Sequence, residues 1–423
     1  MSGDEFVGFG QRAPALAERP EQVPVIQPLS ADPRPAAAGV DSAAGWFVVV
    51  AALVVLTIVF GVTYSFAAFL TPISDEFGTG RGATAFLFGL TVFFLMVLGL
   101  PAGRASDRWG PRPVVVVGGI VLVTGLLTMS VADNIVVGYL AYGVLVGVGA
   151  ACCYVPVVSQ VSGWFDRQRT TALGVAVSGI GIGTLFGTPV ANALIEANDW
   201  RETYRLFAVV TGVVVLAAAV FLRPAPAVAN AEPVSLGRIV ASPVFRRLYT
   251  ANFMLSLALF VPFALLKDYG VDKGISSGAA ATLVSFLGFG SLGGRLLLGA
   301  FAARLGALRL YQVCFVVMAA SYVVWLLADD NYIALATFGL VLGTAYGGYV
   351  ALSPAVAAEL FGVAGLGATL GALYTAVGVG ALGGPLAAGW IRDATGEHTT
   401  NIAASLALSL LAAVLLRRVV ATK

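Results

Sequence analysis

Charge is what this chain has least of. Asp, Glu, Lys and Arg make up 11% of its 423 residues, against roughly a quarter in a water-soluble domain. The net charge of +2 excludes the clustered basic face a nucleic-acid surface needs. Cysteine is nearly absent. Cys152, Cys153 and Cys314 are odd in number, sit in apolar runs and lack C-x-x-C spacing, so they form neither a disulfide framework nor a zinc site and are expected only to pack. There is one histidine, His398, expected as a solvated loop residue. With no nucleophile beside a base and no ligand cluster at helical spacing, an enzyme is not expected, nor a metal or cofactor. No apolar run opens the chain, so residues 1–44, rich in Pro and Ala, are expected as a disordered cytoplasmic tail and not as a signal peptide.

What is abundant is oil. Apolar residues make up 59% of the chain, with 51 glycines and a mean hydropathy of +0.92. Glycine at that level suits helices that must approach closely in lipid. Twelve apolar segments approach the ~20 residues a bilayer requires: 45–72, 83–103, 114–132, 135–162, 171–195, 204–223, 247–268, 279–303, 309–328, 332–356, 366–390 and 400–420. An even number returns the carboxyl end to the side of the amino end. Lys and Arg total 17 on that side and 6 on the other, which predicts both termini in the cytoplasm of a cytoplasmic-membrane protein.

The chain also repeats. Adding 196 to a position pairs Gly103 with Gly299, Arg108 with Arg304, Gly110 with Gly306, Gly143 with Gly339, Gly147 with Gly343, Phe165 with Phe361, Gly187 with Gly383 and Pro189 with Pro385. A constant offset across six helices indicates two parallel halves with a binding site between them near the midplane. The expected organisation is an all-α membrane protein of two pseudo-symmetric six-helix halves, 45–223 and 247–423, joined by a cytoplasmic linker, 224–246.

Between the second and third segments stands Gly103-Arg-Ala-Ser-Asp107-Arg108-Trp-Gly110-Pro-Arg112. A carboxylate among guanidiniums at a helix junction can form charge-assisted bonds in one state and release them in another. The stretch resembles the G-x-x-x-D-R-x-G-x-R loop of the major facilitator superfamily, which implies that Gly103, Asp107, Arg108, Gly110 and Arg112 form a conformational latch. The second copy keeps Gly299, Arg304 and Gly306 but carries Ala303 for the Asp. Three further stretches are similar to monocarboxylate transporters: Asp41-Ser-Ala-Ala-Gly45-Trp46; Trp164-Phe165-Asp166-Arg167-Gln168-Arg169 leading into a Gly-rich helix; and Pro262-Phe263 with Tyr269 and Gly274-Ile275-Ser276. Oxalate/formate exchangers are close neighbours in this likeness.

Arg295 stands out inside the eighth segment, about 12 Å from its nearer end at 1.5 Å per residue. An intramembrane charge faces the bundle interior or a water-filled cavity and marks function by default. Gly288, Ser291 and Gly299 lie on its face, and the repeat places Gly99 opposite it. No acidic residue is expected inside a segment to pair with it, and a guanidinium fork without an internal partner invites an external carboxylate. The resemblance implies the same: the family's carboxylate-binding arginine stands at this place. Tyr64, Tyr154, Asn252, Tyr346 and Tyr374 are the polar or aromatic candidates to complete the site. In two places the chain departs from its relatives: Ser291 stands where some carry a carboxylate, and Thr63 to Leu70 contain no basic residue.

The expected function is alternating-access transport of small monocarboxylates of the lactate or pyruvate type, with protons as candidate co-substrate, lipid as surroundings and a monomeric chain. The alternatives are an oxalate/formate-type exchanger, a proton-coupled drug or sugar carrier, and a transporter-like anion sensor.

Overall fold

Lipid offers the backbone no hydrogen-bond partners, so apolar segments of this length satisfy their amides internally as helices. The computed structural model describes residues 41–165, 168–224, 236–361 and 366–419. Residues 1–40 and 225–235 lie outside them, and with them most of the expected tail and part of the linker. The linker's last residues are helical, over Leu236–Ala241 and from Pro243 onward.

Among the described residues, eleven helices are long and apolar enough to span, and a bent pair makes twelve. They are α1 (Ala43–Phe77), α2 (Arg81–Val97 with Gly99–Ser106, bent by 42°), α3 (Pro111–Ser130), α4 (Ile135–Trp164), α5 (Thr171–Ala197), α6 (Trp200–Ala219), α7 (Pro243–Asp272), α8 (Ser277–Leu298), α9 (Ala307–Ala328), α10 (Tyr332–Phe361), α11 (Thr369–Thr395) and α12 (Thr399–Arg417). Local chemistry sets several ends. Pro111 and Pro243 open helices where an amide would be unpaired in any case. Asn134, Asp199 and Ser242 accept the amides of Val137, Glu202 and Phe245 at 3.1, 2.6 and 3.1 Å.

The repeat read from the letters reappears as geometry. Gly110 and Gly306 both hold positive φ, 86° and 85°, a conformation that favours glycine, and each precedes the third helix of its half. Asn331 caps α10 by accepting the Ala334 amide at 3.1 Å, as Asn134 caps α4. Both first helices break at matching places, Ser65 in α1 and Phe260 in α7. In α7 the break falls just before Val261-Pro262, where proline removes a helix amide. Contacts repeat as well: Gly143 meets Leu90 and Gly147 meets Thr91, while Gly339 meets Phe286 and Gly343 meets Leu287, each pair shifted by the same offset.

The halves meet along two lines, α2 against α11 and α5 against α8, and the segments of α1 and α7 beyond their breaks lie together. Within the first half, the stripe of Gly179, Gly183 and Gly187 is a close helix contact. A Cβ on Gly183 would stand 2.6 Å from the Gly61 amide nitrogen, and one on Gly179 3.1 Å from that of Thr57. Cys153 and Cys314 are buried and all three cysteines are free.

Gly343→Val places a branched side chain where a Cβ alone would already lie 2.9 Å from the Leu287 Cα. It is expected to lower the thermal midpoint in detergent by the equivalent of roughly 1–3 kcal/mol, the cost of overpacking. Gly278→Ala, which meets nothing within 4 Å, leaves that midpoint no lower.

Candidate functional site

The position of Arg295 follows from how glycine lets α8 wedge between two neighbours. Toward α5, a Cβ on Gly288 would lie 2.8 Å from the Leu185 Cα, and Leu292 closes on Gly181. Toward α10, Gly290 approaches the Thr344 amide, Gly294 that of Gly348, and Gly347 the Ser291 backbone. Arg295 lies one helical turn beyond Ser291 on this wedge, and 2% of it is exposed.

Its guanidinium is poorly met. Nη1 donates to Ser291 Oγ at 2.6 Å, and the charge sits 5.5 Å from the centre of the Tyr346 ring, a cation–π distance. Nε and Nη2 are buried with no acceptor, and among the described residues no carboxylate pairs with it. Buried N–H groups of a charged side chain are costly to leave unmet, so the arrangement is complementary to an anion.

The tyrosines continue from there. Tyr346 and Tyr64 join hydroxyls at 3.0 Å across the two halves, and the Tyr64 ring lies 4.7 Å from Phe263. Tyr346 also forms part of the wall of a cavity between the halves, with Phe60, Met96, Tyr154, Tyr349 and Tyr374. Arg295 stands behind Tyr346, one side chain removed from that cavity. Its volume is about 30 Å³, whereas one water needs roughly 10–15 Å³ by this measure; a small organic acid needs the halves to part. Asn252 is buried behind Tyr349, its Oδ1 accepting the hydroxyls of Tyr349 at 2.7 Å and Tyr311 at 3.0 Å. Of the expected site residues, the structure thus brings Arg295, Tyr346 and Tyr64 into one row and Tyr154 and Tyr374 to the cavity. Tyr349 and Ser353, which also lines the cavity, were missed, although Tyr349 follows Tyr346 by one turn on the same helix face.

At the end away from the termini the halves are tied by charge, and here two expectations fail. Lys267 and Asp268 close the expected segment 247–268, where no buried acid was expected. Instead α7 continues to Asp272 and buries both, Asp268 to 3% exposure. Arg81 Nε donates to both Asp268 oxygens, at 3.0 and 2.8 Å, and Thr71 adds a bond at 3.2 Å. The amides of Arg81 and Gly82, at the first turn of α2, donate to Asp393 at 3.0 Å each, a favourable place for an anion. His398 is likewise not solvated. It is 8% exposed, with Nε2 at 3.0 Å from both Arg392 Nε and Asp272 Oδ2. Packing of α12 onto this corner draws the imidazole inward, which loop composition alone does not reveal.

Residues 51–266 and 248–423 each match the Major Facilitator Superfamily model, one match per half. The chain belongs to the major facilitator superfamily. Similar proteins include human monocarboxylate transporter 11, 28% identical over 87% of this chain and 82% of that one, and monocarboxylate transporter 12 of Xenopus laevis, 26% identical over 85% of both. Among solved structures, a bacterial homolog of the human lysosomal transporter Spinster, inward-facing and occupied, superposes with a TM-score of 0.69 at 16% identity, covering 88% of this chain and 96% of that one. The chain is therefore a facilitator-superfamily transporter related to monocarboxylate transporters.

The superfamily loop spans the end of α2 and the turn into α3. Gly110 takes its positive φ there, Arg108 lies 5.7 Å from the Trp109 ring centre, and Arg112 is exposed. Neither arginine has a carboxylate partner among the described residues. The Asp107 side chain lies outside them, as does that of Arg304.

In this superfamily transporter, burial holds the His398 imidazole below its ordinary value; the bond to Asp272 opposes the shift, and Arg392 adds to it. The folded state keeps the ring neutral while the unfolded chain protonates near pH 6.5, so stability present at pH 7 is lost as pH falls through and below 6.5. Thermal unfolding in detergent from pH 7.5 to 5 is expected to show this decline, and His398→Gln to flatten it.

Proposed function

We propose that this transporter moves small monocarboxylates across the cytoplasmic membrane by alternating access, with Arg295 binding the carboxylate. The observation that carries the reading is the buried guanidinium with two unmet nitrogens and, among the described residues, no counter-charge. A carboxylate is the planar, bidentate acceptor that such a fork fits. Likeness to proteins named monocarboxylate transporters over most of the chain supports the same substrate class.

In this reading the halves 45–223 and 247–423 rock about the site within one chain, both termini facing the cytoplasm. The Arg81–Asp268 tie holds the far side shut in the present state, and the latch of Gly103, Asp107, Arg108, Gly110 and Arg112 closes the near side in the other. Tyr64, Tyr346, Tyr154 and Tyr374 complete the path, and Asn252 supports it from behind. Proton coupling is part of the proposal, although Ser291 takes the place of a carboxylate beside Arg295. That feature favours a second reading, exchange of one organic anion for another.

Uptake of labelled lactate, pyruvate, oxalate and formate into proteoliposomes tests both. An inward proton gradient is expected to stimulate uptake of a monocarboxylate. Arg295→Ala is expected to reduce it by about 100-fold or more, since charged hydrogen bonds are worth roughly 1.5–3 kcal/mol each. Arg295→Lys keeps the charge, loses the fork and retains part of the activity. Gradient-independent counterflow of two anions would select exchange, and full activity in Arg295→Ala would sink the site assignment.

A further inference from the structure

The hydrogen-bond polarity behind the cavity wall carries a statement about the substrate itself. Asn252 Nδ2 donates to the Leu248 carbonyl at 2.8 Å. Only the amide nitrogen can make that bond, so the amide oxygen is the end that faces Tyr311 and Tyr349. An amide oxygen has no proton to give. Both hydroxyls, at 3.0 and 2.7 Å, must therefore spend their single proton on Asn252. The two rings stack with centres 5.3 Å apart and an interplanar angle of 27°, which holds them in this arrangement. Of the two, Tyr349 lines the cavity. Its oxygen is left with lone pairs only, and toward a ligand it accepts and cannot donate.

Beside Tyr346, one turn earlier on the same helix, the polarity is reversed. Arg295 offers unmet N–H groups, and the ring of Tyr346 lies 5.5 Å from the guanidinium carbon and 6.5 Å from the Tyr349 ring. A ligand that reaches both the guanidinium and Tyr349 carries an acceptor anion at one end and a hydrogen-bond donor within a few carbons of it.

We propose that Tyr349, polarised by Asn252, makes the site selective for hydroxymonocarboxylates over the oxo acids of the same carbon skeleton. The proposal rests on the monocarboxylate reading above. A hydroxyl gives Tyr349 the proton its lone pair lacks; a ketone in the same place sets two acceptors face to face. Asn252 acts as a positioning residue, and Tyr349 is the group that touches the ligand.

The test uses two matched pairs, lactate with pyruvate and 3-hydroxybutyrate with acetoacetate, as competitors of labelled uptake in proteoliposomes. The full chain is compared with Tyr349→Phe and Asn252→Leu, each checked for a monodisperse elution profile and a thermal midpoint near that of the parent. The parent is expected to favour the hydroxy acid of at least one pair by about tenfold, the order of one buried hydrogen bond kept or lost. Tyr349→Phe removes the acceptor and is expected to bring the ratio near one by weakening the hydroxy acid. Asn252→Leu frees the Tyr349 proton to donate, so it is expected to bring the ratio to one or below by strengthening the oxo acid. A role in packing alone would weaken both acids alike and leave the ratio unmoved. Parent uptake with no preference in either pair, or a preference that survives in a folded Tyr349→Phe, overturns this inference and leaves the transport reading standing. No inhibition by any of the four acids overturns both.

Discussion

Helices in lipid have no hydrophobic force drawing them together, since the tails around them are as apolar as their own side chains. What remains is close contact of backbones, and glycine supplies it here. Gly288 and Gly181 bring α8 to α5, and Gly290, Gly294 and Gly347 bring it to α10. The site depends on that wedge. Wider spacing would give Arg295 room to turn toward water or a helix end, and its charge would need no ligand. Held as it is, the guanidinium has one hydroxyl, one aromatic face and, among the described residues, no counter-charge.

The polar groups sort by what they do for the two halves. At the far end Arg81, Asp268 and Asp393 join α2 to α7 and α11 through an ion pair and two amide–carboxylate bonds across the seam. At the middle, Tyr64 and Tyr346 meet through a single neutral bond, which is easier to break and remake. A strong tie at one end and a weak seam around the cavity suit the proposed opening by separation at discrete contacts, because packed interiors switch between arrangements more readily than they deform.

The small cavity follows from the same packing. Aromatic side chains from α1, α4, α10 and α11 converge on it, and they fill space that an open state would give to water and substrate. Behind them Asn252 accepts the hydrogen bonds of two tyrosines at once, so that even in a wall built of oil the direction of these hydrogen bonds is set. Chemistry at the site is therefore decided partly by a residue that never reaches the cavity.

Much of the fold was legible in the letters because its causes are local or periodic. Segment length, scarcity of charge and the constant offset of 196 led to helices, their number and two halves, and Gly110 with Gly306 carried that offset through to matching backbone angles. Arg295 was legible too, since a charge in the middle of an apolar run needs a reason whatever surrounds it. The residues that escaped depend on neighbours distant in the chain. Asp268 and His398 are buried because α2, α7, α11 and α12 meet at one corner, and Tyr349 matters because Asn252, 97 residues away, faces it. By itself the sequence determined the medium, the number of crossings and the place of the lone charge, because hydropathy and repetition act along the chain. Only the tertiary structure decided which polar groups meet, which remain unmet and which way each hydrogen bond points, because those depend on distances between helices that no spacing in the sequence encodes.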